Sequence, residues 1–384
     1  MTSPRLLAAF YFCYFAAVGV FEPYLTPFWR DRGFSPAQVG LLYAILPAVT
    51  VIAPFLWTAV ADLTGSGRAI FLANTWVAAA AAVLLPALDG FLPAAAAALL
   101  FALVRAPLIP MANSFSLQAL AGRPHRFAAI RLWGTVGYIL AAVGTGLLLR
   151  WMGLGTGIYG IAVAMTGCGL VGWAGRGRRA AVLPPVAIRD LVRAVGDPRL
   201  LLLLGATGLA RVSSGPYDTF FTIHLGRLGF DRTFAGCAWA LAATSELALM
   251  LAWPRIGTAL TPRSWLTAAL GMHAARWLLS MGASTPASLL LIQLTHAVTF
   301  GAFYLAAVQE VDRLAPPGVR ASAQGLFSSL SFGLGGTVGD GLSGLFLARL
   351  GMRGLYAAAA GIAAAATALY WAGSRPVAGG EDCP

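Results

Sequence analysis

Apolar residues run along this chain in blocks of about twenty, and most charged residues fall in the short gaps between the blocks. An α-helix rises about 1.5 Å per residue, so a block of this length matches a hydrocarbon core of about 30 Å. Each block therefore predicts a membrane-spanning helix. The predicted helices are 6–29, 38–60, 69–88, 91–119, 127–149, 154–175, 200–225, 233–254, 264–282, 287–311, 322–348 and 354–373.

Composition supports an all-α membrane protein that spans the lipid bilayer twelve times. Hydrophobic residues make up 59% of the 384 residues and charged residues only 10%, whereas soluble domains carry roughly a quarter charged residues. A soluble protein would have to expose much of this apolar surface to water. The composition excludes that class.

The net charge of +12 would suggest a nucleic-acid partner in a soluble chain, but the arginines are distributed like those of a membrane protein. With the N-terminus inside, cytoplasmic segments hold more arginines than external ones, which is the positive-inside pattern. We therefore expect both termini on the cytoplasmic side of the membrane, and no nucleic-acid partner. Arginine without any lysine, with heavy use of Ala, Gly and Leu, is typical of a GC-rich genome, so we expect a bacterial inner membrane. The internal positions are 5, 68, 123, 126, 176, 178, 179, 189, 193, 199, 255, 263, 313, 320 and 375, against 30, 32, 150, 227, 232, 349 and 353 outside.

The chain repeats itself after about half its length. An arginine-rich stretch, 176–199, is the only long polar interruption, and it predicts a cytoplasmic linker between a six-helix half at 1–175 and another at 200–384. Several residues recur 196 positions later along one diagonal, which predicts two similar halves around a central cavity. The recurring residues are Gly33-Phe34, Gly40 and Trp57, which reappear as Gly229-Phe230, Gly236 and Trp253.

Short motifs add a family resemblance that covers nearly the whole chain. The loop from Ala61-Asp62 to Gly67-Arg68 resembles a degenerate signature loop of the major facilitator superfamily, and Arg131-Leu-Trp-Gly-Thr-Val-Gly-Tyr138 is similar to the fifth-helix motif of its phenylpropionate permease and galactoside:proton symporter branch. The resemblance implies the fold of the major facilitator superfamily, and it implies secondary active transport by alternating access. The residues that resemble the phenylpropionate permease type are the run Tyr14 to Phe28, the pair Arg276-Trp277, and His296 followed by Leu305-Ala306-Ala307.

Many ionisable residues lie inside the predicted helices. A charge at the bilayer centre costs at least about 2.5 kcal/mol on insertion scales, so each one needs a partner or a water-filled cavity. A purely structural bundle has no reason to keep so many. These residues are Glu22, Arg105, Arg131, Arg211, Asp218, Glu246, His273, Arg276, His296 and Asp340.

Three of these residues are the candidate proton-coupling site. Glu246, Arg276 and His296 lie well inside successive predicted helices. Arginine stays protonated, whereas a partly buried carboxylate or imidazole titrates near neutrality, which makes Glu246 the expected proton carrier with Arg276 holding it ionised. The alternative is a fixed interhelical ion pair with His296 as a neighbour. In the galactoside symporter, which this chain resembles, a carboxylate lies one turn beyond the corresponding histidine. This chain has Thr299 at that position.

The candidate substrate residues are Arg131, Asn113, Arg105, Glu22, Tyr24 and Asp218. By resemblance, Arg131 matches the substrate-contacting arginine of the galactoside symporter, and Asn113 stands where relatives have a carboxylate. Two arginines beside polar side chains favour an organic anion, aromatic or otherwise. The alternatives are that Arg131 pairs with Glu22, that Arg105 bonds backbone or reaches the membrane interface, and that Asp218 makes a structural salt bridge to the tenth or eleventh helix.

The resemblance also assigns conformational gating. The acid of the signature loop, here Asp62, braces the cytoplasmic side shut in the superfamily, while Arg68 is either part of this device or a positive-inside anchor. Enzyme motifs and metal-ligand spacings are missing from the sequence, so we expect no enzyme activity, cofactor or metal site. We expect a monomeric, proton-driven importer of a small organic solute. A sugar or nucleoside symporter and an exporter of drugs or metabolites are the alternatives.

Overall fold

A computed structural model describes residues 3–120, 127–175, 197–315 and 320–373 of the chain. Within these ranges the regular structure is helical, with fifteen α-helices, a 3₁₀ turn at Gly257–Ala259 and two π-helical segments at Ala297–Ala302 and Ser328–Gly335. The α-helices are α1 Pro4–Asp31, α2 Pro36–Thr50, α3 Ala53–Thr64, α4 Gly67–Ala87, α5 Phe91–Arg105, α6 Leu108–Ala119, α7 Phe127–Leu148, α8 Leu154–Ala174, α9 Pro198–Arg227, α10 Arg232–Ile256, α11 Pro262–Gly282, α12 Pro286–Leu294, α13 Phe303–Leu314, α14 Arg320–Phe327 and α15 Gly336–Gly373.

Length and hydropathy identify the membrane spans. In the described residues, eight helical runs are long and apolar enough to cross a bilayer, and α2 with α3 forms a ninth that is bent by 43°. One of the eight, Ala323–Gly373, has 51 residues, about twice the length of one crossing. It is broken at Gly351, whose φ of 62° is not helical. With α9 and α11, which are long enough but less apolar, the chain has the twelve spans that the sequence predicts.

Four predicted helices are interrupted, and proline or a wide turn is the reason. The predicted helix 38–60 divides after Thr50, between Pro47 and Pro54, and the predicted helix 91–119 divides around Pro107. Proline removes a backbone donor and crowds the preceding turn, so bends collect at these positions. The predicted helices 287–311 and 322–348 each contain one of the π-helical segments.

The internal repeat has a matching backbone geometry. Gly33 and Gly229 end the first helix of each half with φ of 84° and 87°, a conformation that favours glycine. Two residues later, Ser35 and Asp231 accept a backbone N–H and cap the next helix. The twelve spans thus fall into two similar sets of six. Residues 176–196 of the predicted linker and the tail beyond 373 lie outside the described residues, so those domain limits stay predictions.

The bundle has two ends, which we name by the chain ends. The terminal face is the end at which α1 and α9 begin and α15 finishes, and the distal face is the end at which α1 and α9 finish. Between the halves, α2 packs against α15 and α7 against α10. At the distal ends of these pairs the backbones touch, since a Cβ on Gly40 would lie 2.6 Å from the Cα of Gly344 and one on Gly236 would lie 2.3 Å from the carbonyl oxygen of Ala142.

Polar contacts between the halves also gather at the distal face. In the described parts of the chain, every side-chain hydrogen bond between the halves involves one of three consecutive residues at the start of α10, Asp231, Arg232 and Thr233, which we call the distal latch. Arg232 donates to Asp31 at 2.7 Å. Arg150 donates to Asp231 and to Thr233, both at 3.0 Å. The halves are therefore closed against each other at the distal face.

Candidate functional site

Glu246, His296 and Arg276 meet in the second half as a linear array, which we call the coupling array. His296 lies between the other two side chains: its Nδ1 is 3.0 Å from Nη1 of Arg276, and its Nε2 is 3.6 Å from Oε2 of Glu246. Glu246 comes from α10, Arg276 from α11, and His296 from the turn between α12 and the first π-helical segment. The sequence predicted that the three side chains meet, with a direct ion pair between Glu246 and Arg276 as the alternative; the structure places the imidazole of His296 between them.

The geometry of the array assigns the tautomer of His296. A guanidinium only donates, so the Nδ1 atom that faces Arg276 accepts, and a neutral imidazole then carries its proton on Nε2. That N–H points toward the carboxylate of Glu246. The separation of 3.6 Å is longer than a hydrogen bond. A small movement of either side chain therefore makes or breaks this contact.

Arg276 is fixed in place by neutral groups. Its exposed fraction is 2%, and Nη1 donates to Thr299 at 2.8 Å while Nη2 donates to the amide oxygen of Gln293 at 3.3 Å. The ring of Tyr217 lies 4.4 Å from its guanidinium carbon. In the described residues no carboxylate forms an ion pair with it. A buried cation held only by dipoles and ring faces is electrostatically incomplete, and a nearby anion stabilises it.

Arg131 has aromatic neighbours and, among the residues described, no acidic side chain within ion-pair distance. Its guanidinium carbon lies 4.0 Å from the ring centre of Phe15 and 5.4 Å from that of Tyr11. A Cβ on Gly134, one turn further along α7, would lie 3.0 Å from its Nη1. The glycine therefore leaves room for the guanidinium against α1. The arrangement presents a positive group framed by ring faces.

Arg105 repeats this pattern at the end of α5. It donates to the hydroxyl of Tyr14 at 2.8 Å and lies over the rings of Phe21 and Phe101, at 4.9 and 5.7 Å. Its buried Nε has no hydrogen-bond partner. Within the described ranges no carboxylate pairs with it. The backbone contact and the membrane-interface position considered from the sequence are not what the structure shows for this arginine.

Glu22 bonds a tyrosine rather than an arginine. The hydroxyl of Tyr138, the last residue of the fifth-helix motif, donates to its Oε2 at 2.8 Å. Across the described residues, neither Arg131 nor Arg105 lies within ion-pair distance of this carboxylate. The alternative that paired Arg131 with Glu22 is therefore not found. The two ends of the motif have different partners: Arg131 packs on the ring of Phe15, and Tyr138 bonds Glu22.

The remaining predicted substrate residues separate into different places. Asn113 accepts a hydrogen bond of 2.7 Å from Tyr11, the ring that also faces Arg131. Tyr24 is fully buried near the distal face, where its hydroxyl donates to the carbonyl oxygens of Ala142 at 2.6 Å and Arg232 at 3.1 Å. The structure therefore uses Tyr24 to join α1, α7 and α10, and not as a cavity wall.

Asp218 forms an ion pair within its own helix. Arg211, two turns earlier in α9, donates to it at 2.8 Å. The predicted alternative of a bridge to the tenth or eleventh helix is not observed. The next residue, Thr219, donates to Asp340 at 3.0 Å and so links α9 to α15. Asp340 is 3% exposed and, in the parts of the chain described, has no cationic partner within ion-pair distance.

The two predicted gating residues are only partly described. Arg68 donates to the carbonyl oxygens of Gly175 at 2.7 Å and Trp173 at 3.4 Å, so it caps the end of α8 within the first half. These contacts favour the anchoring alternative for Arg68. The side chain of Asp62 lies outside the described part of the structure, and its bracing role stays a prediction.

The coupling array lies within electrostatic range of ionisable side chains of the first half. Glu22 is within electrostatic range of Asp218 and Glu246, and Arg131 is within range of Glu246. Glu246 and His296 are about one-fifth exposed although they lie well inside their spans. Ionisable side chains from both halves thus lie near one another, in what we call the central region. Among the described residues, no group of three or more His, Cys, Asp or Glu side chains is arranged to hold a metal ion.

Several residues of the site carried no distinctive signal in the sequence. Gln293, Thr299 and Tyr217 hold Arg276, and Tyr138 holds Glu22. Polar residues and tyrosines are common in membrane helices, so the residue type alone does not identify these four as part of the site. The usable signals were the position of Tyr138 at the end of the fifth-helix motif and that of Thr299 one turn beyond His296.

Comparisons with known proteins agree with this architecture. The profile of the family described as the MFS_1 like family matches residues 5–358. A maltose permease of Geobacillus stearothermophilus is 29% identical over 333 residues, which covers 85% of this chain and 83% of that protein. A probable 3-phenylpropionic acid transporter of Escherichia coli K12 is 23% identical over 81% of this chain and 83% of its own length. The crystal structure of the nucleoside transporter NupG, as a D323A mutant, superposes with a TM-score of 0.89 at 19% identity, over 97% of this chain and all of that one.

Proposed function

Because the chain belongs to the MFS_1-like family, whose members are transporters and not enzymes, we propose that it imports a small organic anion, aromatic or otherwise, together with a proton. The coarser statement is established: this is a multi-pass secondary transporter of the major facilitator fold. The substrate class, the coupling ion and the direction are the proposal. No cofactor enters it, because the driving force is the proton gradient.

The proposal of an anionic substrate rests on two arginines that have no carboxylate partner. Arg131 and Arg105 lie on aromatic rings and, in the described residues, lack a carboxylate partner. A buried or half-buried guanidinium without a counter-ion gains most from a ligand that brings one, and its planar fork suits a carboxylate. Phe15 and Tyr11 provide faces on which an apolar or aromatic part of the same ligand packs.

The coupling array supports proton movement through Glu246. This carboxylate faces the central region and is separated from the fixed charge of Arg276 by the imidazole of His296. When Glu246 takes up a proton, its attraction to the His296 N–H weakens, and Arg276 keeps its contacts with Thr299 and Gln293. The two protonation states thus differ in a contact between α10 and the turn after α12. That difference gives protonation a means to bias the packing of the second half.

Charge distribution and packing together support an orientation. The arginine bias of the sequence supports a cytoplasmic position for the terminal face. The described contacts between the halves close the distal face. The described conformation is then closed toward the outside, as an importer is after substrate has entered from that side.

Ligand stabilisation tests the substrate class. Purified protein is heated with 3-phenylpropionate, maltose or uridine, since a ligand that binds the folded state raises the melting temperature. We expect 3-phenylpropionate to stabilise the wild type, R131K to keep part of this effect, and R131Q to lose it. A neutral sugar is the second candidate because the maltose permease is 29% identical. Stabilisation by maltose alone, unchanged in R131Q, would replace the anion with a sugar.

Transport in proteoliposomes tests the coupling. The wild type is expected to take up protons with substrate, and E246Q to keep substrate exchange while losing proton uptake. E310Q is the matched control, because Glu310 is also a buried carboxylate but lies at the terminal end of α13, bonded by Arg313. Proton-driven accumulation by E246Q at the wild-type level would show that Glu246 is not the carrier.

A further inference from the structure

The distal face contains a cavity of about 500 Å³ that both halves line. Its residues come from the distal ends of α1, α7, α9 and α10, directly beside the distal latch. This cavity is separate from the central region proposed for the substrate, because the close contacts of Tyr24 with the backbone of α7 and α10 lie between them. It has no part in the transport mechanism described above.

The charge of this cavity is not balanced. Four arginines line it against two aspartates, and both aspartates are already paired across the halves, Asp231 with Arg150 and Asp31 with Arg232. Two arginines are left over. Arg30 donates to the carbonyl oxygen of Phe34, and Arg227 is exposed and has no hydrogen bond or ion pair with a described residue.

The two surplus arginines belong to different halves. Arg30 is in the last turn of α1, in the first half, and Arg227 is the last residue of α9, in the second half. We propose that this distal cavity binds a small dianion whose two charged groups contact Arg30 and Arg227 at once. A guanidinium is a good partner for carboxylate or phosphate oxygens, and two fixed cations favour a ligand with two charges over one with a single charge.

A ligand in this position acts as a bridge between the halves. The cavity with both arginines exists only while the distal ends are together, so the dianion binds the distal-closed state and stabilises it. It then opposes opening of the distal face. External dianions of this class therefore slow the return of the transporter to the state that loads from that side.

Calorimetry with malonate, a small dianion, tests the site at low ionic strength, where screening is weakest. Arg227 is exposed, so R227Q removes the positive charge without disturbing the packed interior of the protein. We expect binding to R227Q to be weaker by about tenfold, the size of one charge-assisted hydrogen bond. R349Q is the matched control, because Arg349 is an exposed arginine of the same face that does not line the cavity. Equal binding by wild type and R227Q overturns the site.

Two further measurements separate this site from the central one. Malonate binding is expected to persist in R131Q, and loss of binding there would place malonate in the substrate region and overturn the proposal. Spin labels at Leu92 and Ser284, exposed distal positions in opposite halves of a variant with its cysteines replaced, report the distal opening. Malonate should shift the population toward the short distance in the wild type and not in R227Q. Binding without such a shift overturns the bridging role.

Discussion

A single methyl group at Gly146 is predicted to open the distal face. A Cβ on this residue of α7 would lie 2.6 Å from the hydroxyl of Tyr24 and 2.7 Å from the carbonyl oxygen of Arg232, against 3.4 to 4 Å for an ordinary contact. The α10 backbone at Arg232 belongs to the other half. Gly146→Ala therefore clashes with Arg232 only when the halves are together at this face, whereas its contact with Tyr24 lies within the first half and does not depend on their separation.

The expected magnitude follows from the overlap. Placing a methyl group in a tightly packed contact costs about 1–3 kcal/mol, and a difference of about 1.4 kcal/mol is tenfold in an equilibrium constant. The distal-open population should thus rise about 5-fold to about 150-fold relative to the closed one. Exposed ion pairs contribute only about 0–1 kcal/mol each. The methyl group should therefore shift the equilibrium more than loss of the pair between Asp31 and Arg232 does.

The spin labels at Leu92 and Ser284 measure this shift by their distance distribution. Gly144→Ala is the matched control, because Gly144 lies two residues earlier in the same helix and a Cβ there would meet nothing within 4 Å. Both variants gain the same helix propensity, about 1 kcal/mol, so their difference isolates the clash. Identical distance distributions for Gly146→Ala and Gly144→Ala would refute the packing argument.

Two other residues give predictions of a different kind. The backbone N–H of Phe234, in the same half, and then the guanidinium of Arg150, in the other half, lower the pKa of Asp231. Only the bond with Arg150 is lost when the halves separate, so this part of the lowering stabilises the closed state; it is complete above the ordinary aspartate range and is lost as the pH falls through the lowered value. The label distances should therefore change in acid for the wild type and not for D231N. Glu310 is 1% exposed and accepts two hydrogen bonds from Arg313, so E310Q should lower the free energy of unfolding by about 1–3 kcal/mol in thermal melts, with substrate binding unchanged.

The number and order of the spans were predictable from the sequence because a bilayer imposes one length on every crossing helix. The repeat was predictable too, since Gly33 and Gly229 both adopt a positive φ that few other residues adopt. Bends were harder to place. Pro47 and Pro54 mark the region of the break between α2 and α3, but the position of the break depends on how the two halves pack.

The candidate site was predictable in its members and not in its pairings. Burial cost alone identifies Glu246, Arg276 and His296, because each is expensive in an apolar bundle. Which side chain lies between the other two depends on the rotation of three helices, and that is set by packing far along the chain. The same reason explains Tyr24, an aromatic residue whose role in joining three helices no local pattern indicates.

The π-helical segment Ala297–Ala302 is a place where the second half can lose one residue without losing its helix. A π turn holds one residue more than an α turn, so deletion of one residue there restores α geometry without breaking the helix. Because the wide turn absorbs the extra residue, side chains beyond it keep nearly the same direction after the deletion, whereas the residues of the turn itself change places. Insertions and deletions of single residues are therefore a route by which such a transporter replaces Thr299, which holds Arg276, with a different neighbour while its length in the membrane stays almost the same.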